Sequence, residues 1–291
     1  MEWRTDWGLR ARMALTMFLL FALFLVFAAV VTAYAGGGIL MIAVLMGGFS
    51  VAQWFFSDRL TLLSMGAETV SENEYPELHG AVTRLSQQAD LPKPKVAVVE
   101  SNNPNAFATG RSADHAAVAV TTGLLGLLTR EELEGVLAHE LAHVKNRDMA
   151  VMTFASLLST LAFIVVRWGW LFGGRNRQQG SFAVAIVASL VVWVLSFVLI
   201  RALSRYREFA ADRGGALITG RPSALASALM KIDGRMDRIP EEDLRNQAEM
   251  NAFFVIPVRQ GFVGSLFRTH PTTEKRVERL RDLEKQLETV G

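Results

Sequence analysis

Cysteine is absent from the 291 residues. That excludes disulfides, thiolate metal sites and cysteine nucleophiles together, so any metal must be held by His, Asp or Glu. Charge is scarce as well: 20% of residues are charged and 51% are hydrophobic, where soluble proteins average roughly a quarter charged. The shortage is local. No Asp, Glu, Lys or Arg occurs from Met13 to Ser57, a run far longer than the roughly 20 residues a membrane span needs. The formal net charge is only +2, and no basic stripe interleaved with aromatics crosses the polar segments, which argues against nucleic acid as a partner. The apolar run after Arg12 is too long for a signal peptide, and no small-residue cleavage site follows promptly. A retained anchor is expected.

The charge-free stretch divides at Gly36-Gly37-Gly38, a natural turn, into spans over Met13–Tyr34 and Ile39–Phe56. Two further spans fit between charges, Met149–Val166 and Ser181–Ile200. Four expected regions follow: two membrane helices in 1–57, a first polar part in 58–148, a membrane hairpin in 149–200 and a second polar part in 201–291. The first polar part reads as a helix (Pro76–Ala89), a strand (Lys95–Val99), a loop rich in Asn and Gly, a strand (Ala116–Thr121) and a helix from Arg130. The tail, Thr273–Val290, aligns Val277, Leu280, Leu283, Leu287 and Val290 on one face of an amphipathic helix. Basic residues flanking the spans (Arg4, Arg10 and Arg12 before the first; Arg201, Arg205 and Arg207 after the fourth) place the amino terminus and both polar parts in the cytoplasm. Arg167, Arg175 and Arg177 run against that rule. Either the second hairpin crosses despite them or it is shallow.

Thr129-Arg-Glu-Glu132 has capping-box form and predicts a helix start. On that helix His139 and His143 are four residues apart, within about 40° of one another around the axis, so two imidazoles can take two corners of a zinc tetrahedron. Glu140, one step round, can reach a metal-activated water and take its proton. This is the H-E-x-x-H array, His139-Glu-Leu-Ala-His143. The alternative is a surface helix that carries two histidines by coincidence. A third histidine at metzincin spacing is lacking, because Asn146 and Met149 stand there. Glu208 is the candidate third ligand. Ala210 and Ala211 permit close helix approach, and Asp212 is placed to orient a zinc-bound imidazole. A span-turn-span hairpin also returns Glu208 to the level of His143. A solvated charge at a helix end is the plain alternative for Glu208.

The set His139–His143, Glu208-x-x-x-Asp212, Asn105-Ala-Phe107 and His270-Pro271 resembles the HtpX-type membrane zinc endopeptidases, relatives of the CAAX prenyl protease. The resemblance implies a mainly helical, multi-span membrane protein with a small β-sheet and a gluzincin-like zinc protease domain facing the cytoplasm. It implies one Zn2+ per chain and polypeptide substrates, chiefly damaged or misassembled membrane proteins cleaved under envelope stress. It also implies an edge strand that pairs with extended substrate, for which Ala116–Thr121 is the segment to match. By the same resemblance Asn105 binds substrate backbone, and His270 and Arg276 lie on the opposite wall, with His270 stabilising the oxyanion. Read without it, Asn105 is a turn residue, His270 a helix cap before Pro271, and His79 and His115 ordinary surface residues.

Two other functions remain to be weighed. CAAX-type processing proteases resemble this chain at the motifs but use about seven spans to enclose a chamber, which the four spans expected here cannot build. A non-catalytic membrane adaptor or chaperone with structural zinc needs no general base and closes its fourth corner with Cys or His. Glu140 and the lack of cysteine argue against it.

Overall fold

The computed structural model describes residues 7–35, 48, 51–52, 55–152, 179–236 and 271–290. The Gly36–Gly38 turn, most of the spans 39–56 and 149–166, the basic turn before Gln179, and His270 lie outside the described residues. The described helices are α1 (Trp7–Ala35), α2 (Ser57–Ser64), α3 (Pro76–Gln88), α4 (Thr122–Leu127), α5 (Arg130–Lys145), α6 (Gln179–Thr219), α7 (Pro222–Met236) and α8 (Thr273–Val290). The strands are β1 (Ala67–Thr69), β2 (Lys95–Val99), β3 (Ala106–Thr109) and β4 (Ala117–Thr121). The protein is therefore mostly helical with one small sheet. It forms two compact units, one of residues 1–6, 56–149 and 207–291, the other of residues 7–55 and 150–206.

In the second unit α1 and the first part of α6 pack through Leu20, Phe27, Val192 and Leu203. Helix α1 has 29 residues, about 43 Å at 1.5 Å per residue. Its other faces, and those of α6, are apolar yet exposed, as at Phe18, Phe21, Leu25, Val191 and Val198. The buried line of α6 instead carries Ser189 and Ser196, whose hydroxyl returns to the Val192 carbonyl at 2.7 Å. Small polar residues among the buried contacts and apolar residues outside are the pattern of a helix in lipid. Among the described residues one helix is long and apolar enough to cross a membrane, Ile186–Thr219 within α6.

In the first unit the sheet order is β1-β2-β4-β3, with β2 and β4 parallel and both edge pairings antiparallel. Alternation along the strands divides the side chains. Val96, Val98, Val118 and Val120 join the core formed with the helices, while Ala97, Val99, Phe107 and Ala119 face Leu62 and Met65 of the α2 segment. Two expectations are corrected here. Ala116–Thr121 is not an edge: β4 is interior, flanked by β2 and β3. The edges are β1 and β3, and β3, the neighbour of β4, falls in the stretch read as an Asn- and Gly-rich loop. His79 is not a surface residue either, being buried with Nε2 3.1 Å from the Val70 carbonyl. His115 is exposed and contacts the Ser112 hydroxyl.

Candidate metal centre

The helix that carries His139 is fixed at its start as the sequence predicts. The Thr129 hydroxyl accepts from the Glu132 backbone N–H, and the Glu132 carboxylate accepts from that of Thr129, closing the capping box. Glu132 also takes hydrogen bonds from Ser227 at 2.6 Å and Lys231 at 2.7 Å, tying α5 to α7. Val136, Leu137 and Leu141 are wholly buried, and α5 packs on β3. Opposite it, α6 turns Glu208, Ala211, Asp212 and Gly215 inward. The two helices approach so closely at Gly215 that a Cβ there would lie 2.8 Å from the His139 backbone nitrogen. Helix α6 ends at Gly220 in left-handed conformation, φ 67°.

Three potential donors converge. His139 Nε2 and His143 Nε2 are 3.2 Å apart, and the Glu208 carboxylate oxygens lie 3.6 Å from the first and 3.5 Å from the second. Ligands about 2.0–2.1 Å from a tetrahedral zinc stand roughly 3.3–3.4 Å apart, so the triangle has the size that ion requires. His139, His143 and Glu208 thus form a group that could hold a metal ion. The imidazoles cross edge to face, 88° between planes, with their Nε2 atoms adjacent. Their Nδ1 atoms point the other way, each to its own carboxylate: Asp212 at 3.0 Å for His139 and Asp148 at 2.5 Å for His143.

Charge gives a second test of fit. Four carboxylates meet here (Glu140, Glu208, Asp148, Asp212), all buried, with the guanidiniums of Arg207 and Arg276 among them. With neutral imidazoles and ionised carboxylates two negative charges are left over. A divalent cation balances them. Without one, protons must: burial opposes charging of His139, but hydrogen bonds to Asp212 and Glu208 prevail and push it up to about 9.

Glu140 is buried beside the ligands. Burial pushes its carboxyl above the ordinary range, while the imidazoles of His139 and His143 and the Ala108 amide of β3 pull it partly back. A carboxylate raised by desolvation is a stronger base than one in water.

The predicted site residues are placed as follows. Asp212 lies against His139. Arg276, expected on the substrate wall, is 1% exposed and grips Asp212 through Nε at 2.9 Å and a terminal nitrogen at 2.6 Å, with Glu208 at 3.4 Å. Asn105 is buried immediately before edge strand β3, its carbonyl accepting from the Thr121 backbone N–H at 2.9 Å. His270 is outside the described residues. Asp148, in sequence only the charge that precedes the span Met149–Val166, contacts His143. Its signal was its place just past the end of α5, too irregular a spacing to read as a motif.

Residues 72–284 match peptidase family M48. The chain is 53% identical over 291 residues to "Protease HtpX homolog 2" of Methanosarcina mazei, covering 98% of this chain and 99% of that one. It is 54% identical over 295 residues to "Protease HtpX homolog" of Moorella thermoacetica, with 98% and 97% covered. Among solved structures it resembles S. mikatae Ste24p at a TM-score of 0.56 and 18% identity, covering 94% of this chain and 66% of that one. That last likeness is one of fold.

Proposed function

The chain belongs to peptidase family M48 and is a metalloprotease, and from that premise we propose that it is a zinc-dependent endopeptidase of the cell membrane. Its substrates in this reading are damaged or misassembled membrane proteins. The observation that carries the proposal is the convergence of His139, His143 and Glu208 at tetrahedral spacing with buried Glu140 alongside, beneath a sheet edge. Zinc held by those three residues would supply Lewis-acid polarisation of the scissile carbonyl and activation of water.

The chain's own groups supply the rest. Glu140 takes the proton of the attacking water and passes it to the departing amine. Asp212 holds the Nδ1 proton of His139 and so keeps Nε2 free to bind metal, and Arg276 keeps Asp212 ionised and in place. An extended substrate adds to the outer side of β3 by main-chain hydrogen bonds, above the helix that carries Glu140. Asn105 meets the substrate backbone at the start of that strand, and His270 stabilises the oxyanion. The partly exposed side of His143 is where substrate enters.

Exposed apolar faces on α1 and α6 support a lipid-facing role for both. In the full proposal the spans are 13–34, 39–56, 149–166 and 181–200, and the polar parts 58–148 and 201–291 form one cytoplasmic catalytic domain. Cleavage of casein and of a model membrane protein in detergent, with and without a chelator, tests the reading. Loss with chelator and recovery on adding zinc is expected. Undiminished cleavage after complete metal removal contradicts it.

A further inference from the structure

Asp148 is fully buried just past the end of α5. Arg147 before it adopts φ 56°, and this left-handed step turns the chain back so that Asp148 faces His143. One carboxylate oxygen lies 2.5 Å from His143 Nδ1, and the other lies 3.2 Å from Arg207 Nε. Arg207 directly precedes Glu208 on α6. A single carboxylate therefore touches one metal-ligating side chain and the neighbour of another. Both partners also stand beside the points where the chain passes between its compact units, 149/150 and 206/207.

We propose that Asp148 is a positioning residue for the metal site. It fixes the ring and tautomer of His143, and its ion pair with Arg207 ties that ligand to the helix segment carrying Glu208. The inference rests on the reading that His139, His143 and Glu208 hold a metal. It differs from a simple structural staple in what it requires. A staple needs only charge and burial, whereas a positioning residue needs an acceptor aimed at Nδ1, because donation from Nδ1 leaves Nε2 as the lone pair for the metal.

The test uses the full chain in detergent and cobalt(II) as the probe, since its visible absorption reports ligand geometry. Cobalt affinity is measured by chelator competition and thermal stability on the metal-free protein, for wild type, Asp148→Ala, Asp148→Asn, Arg207→Gln and His143→Ala. Asp148→Ala should bind about 10–100-fold more weakly with an altered spectrum. Asp148→Asn keeps an acceptor and should recover the wild-type spectrum with only a several-fold loss, and Arg207→Gln should lie between Asp148→Asn and wild type. Wild-type affinity and spectrum in Asp148→Ala overturn the proposal, as does lowered thermal stability in these variants with unchanged affinity. Should Asp148→Ala not fold, unchanged affinity in both Asp148→Asn and Arg207→Gln overturns it. A wild type that binds no cobalt, or a His143→Ala that binds as well as wild type, overturns the metal reading beneath it.

Discussion

Gly215→Ala sets two known effects against each other at one atom. In an exposed helix interior the change stabilises by up to about 1 kcal/mol, because alanine has less backbone freedom to lose. Here the new Cβ would lie 2.8 Å from the His139 nitrogen, 3.0 Å from its Cα and 3.2 Å from the Ala138 carbonyl carbon. All three are backbone atoms of α5, so no side chain can swing away, and the helices must part by roughly half an ångström to restore ordinary contact distances of about 3.5 Å. Overpacking of that kind costs about 1–3 kcal/mol, which outweighs the gain in propensity. The displacement also acts on function. Glu208 lies on the same inward side of α6, and metal–ligand distances tolerate only about 0.2 Å. Gly215→Ala should therefore lower thermal stability and weaken metal binding by at least about tenfold. Gly80→Ala on α3, where a Cβ meets nothing within 4 Å, is the control and should raise stability by a few tenths to about 1 kcal/mol. Zinc per chain after exhaustive dialysis and a melting curve decide the matter. A Gly215→Ala protein that melts higher than wild type and keeps its full metal would refute the reasoning.

Three further outcomes are expected. Glu208→Ala should lose metal affinity by orders of magnitude and Asp212→Ala by about 10–100-fold; full metal in the first with none in the second would mean the wrong carboxylate is the ligand. In metal-free protein His139 is raised from its ordinary value to about 9, so the stability it contributes is fully present below about pH 6.5 and is lost as pH rises through about 9. The metal-free melting temperature should fall over that window, and apparent metal affinity should drop about tenfold per unit as pH falls below 9; a metal-free protein that gains stability across it contradicts the placement of Asp212 and Glu208. For topology, a cysteine at exposed Ser71 should resist an impermeant reagent in intact cells, and ready labelling there contradicts a cytoplasmic first polar part.

Long periodic segments and local caps carried most of the readable signal. The capping box at Thr129 predicted the start of α5, and the apolar stripe of the tail matches α8, Thr273–Val290. Glu208 and Asp212 were legible because small neighbours and an i, i+4 spacing flag a buried polar face. The short strands were not. β3 is four residues, Ala-Phe-Ala-Thr, with three of the four fully buried, so it shows no polar alternation, and its pairing with β4 is set by long-range contact. That omission led the edge role to be given to Ala116–Thr121. Arg276 was given its place by the resemblance alone, for a related reason. On an otherwise charged amphipathic helix nothing local distinguishes the one arginine that is buried against Asp212. Asp148 depends on the left-handed turn at Arg147, a conformation that arginine does not announce.

Glu140 is the proposed base beside a zinc held by His139, His143 and Glu208. Cleavage of a model membrane protein by zinc-loaded wild type and zinc-loaded Glu140→Gln, with metal content measured on the same samples, tests it most directly. Equal zinc, an intact fold and loss of nearly all cleavage are expected in the variant, since an amide cannot accept the proton of water. Full cleavage by Glu140→Gln carrying its zinc would contradict it.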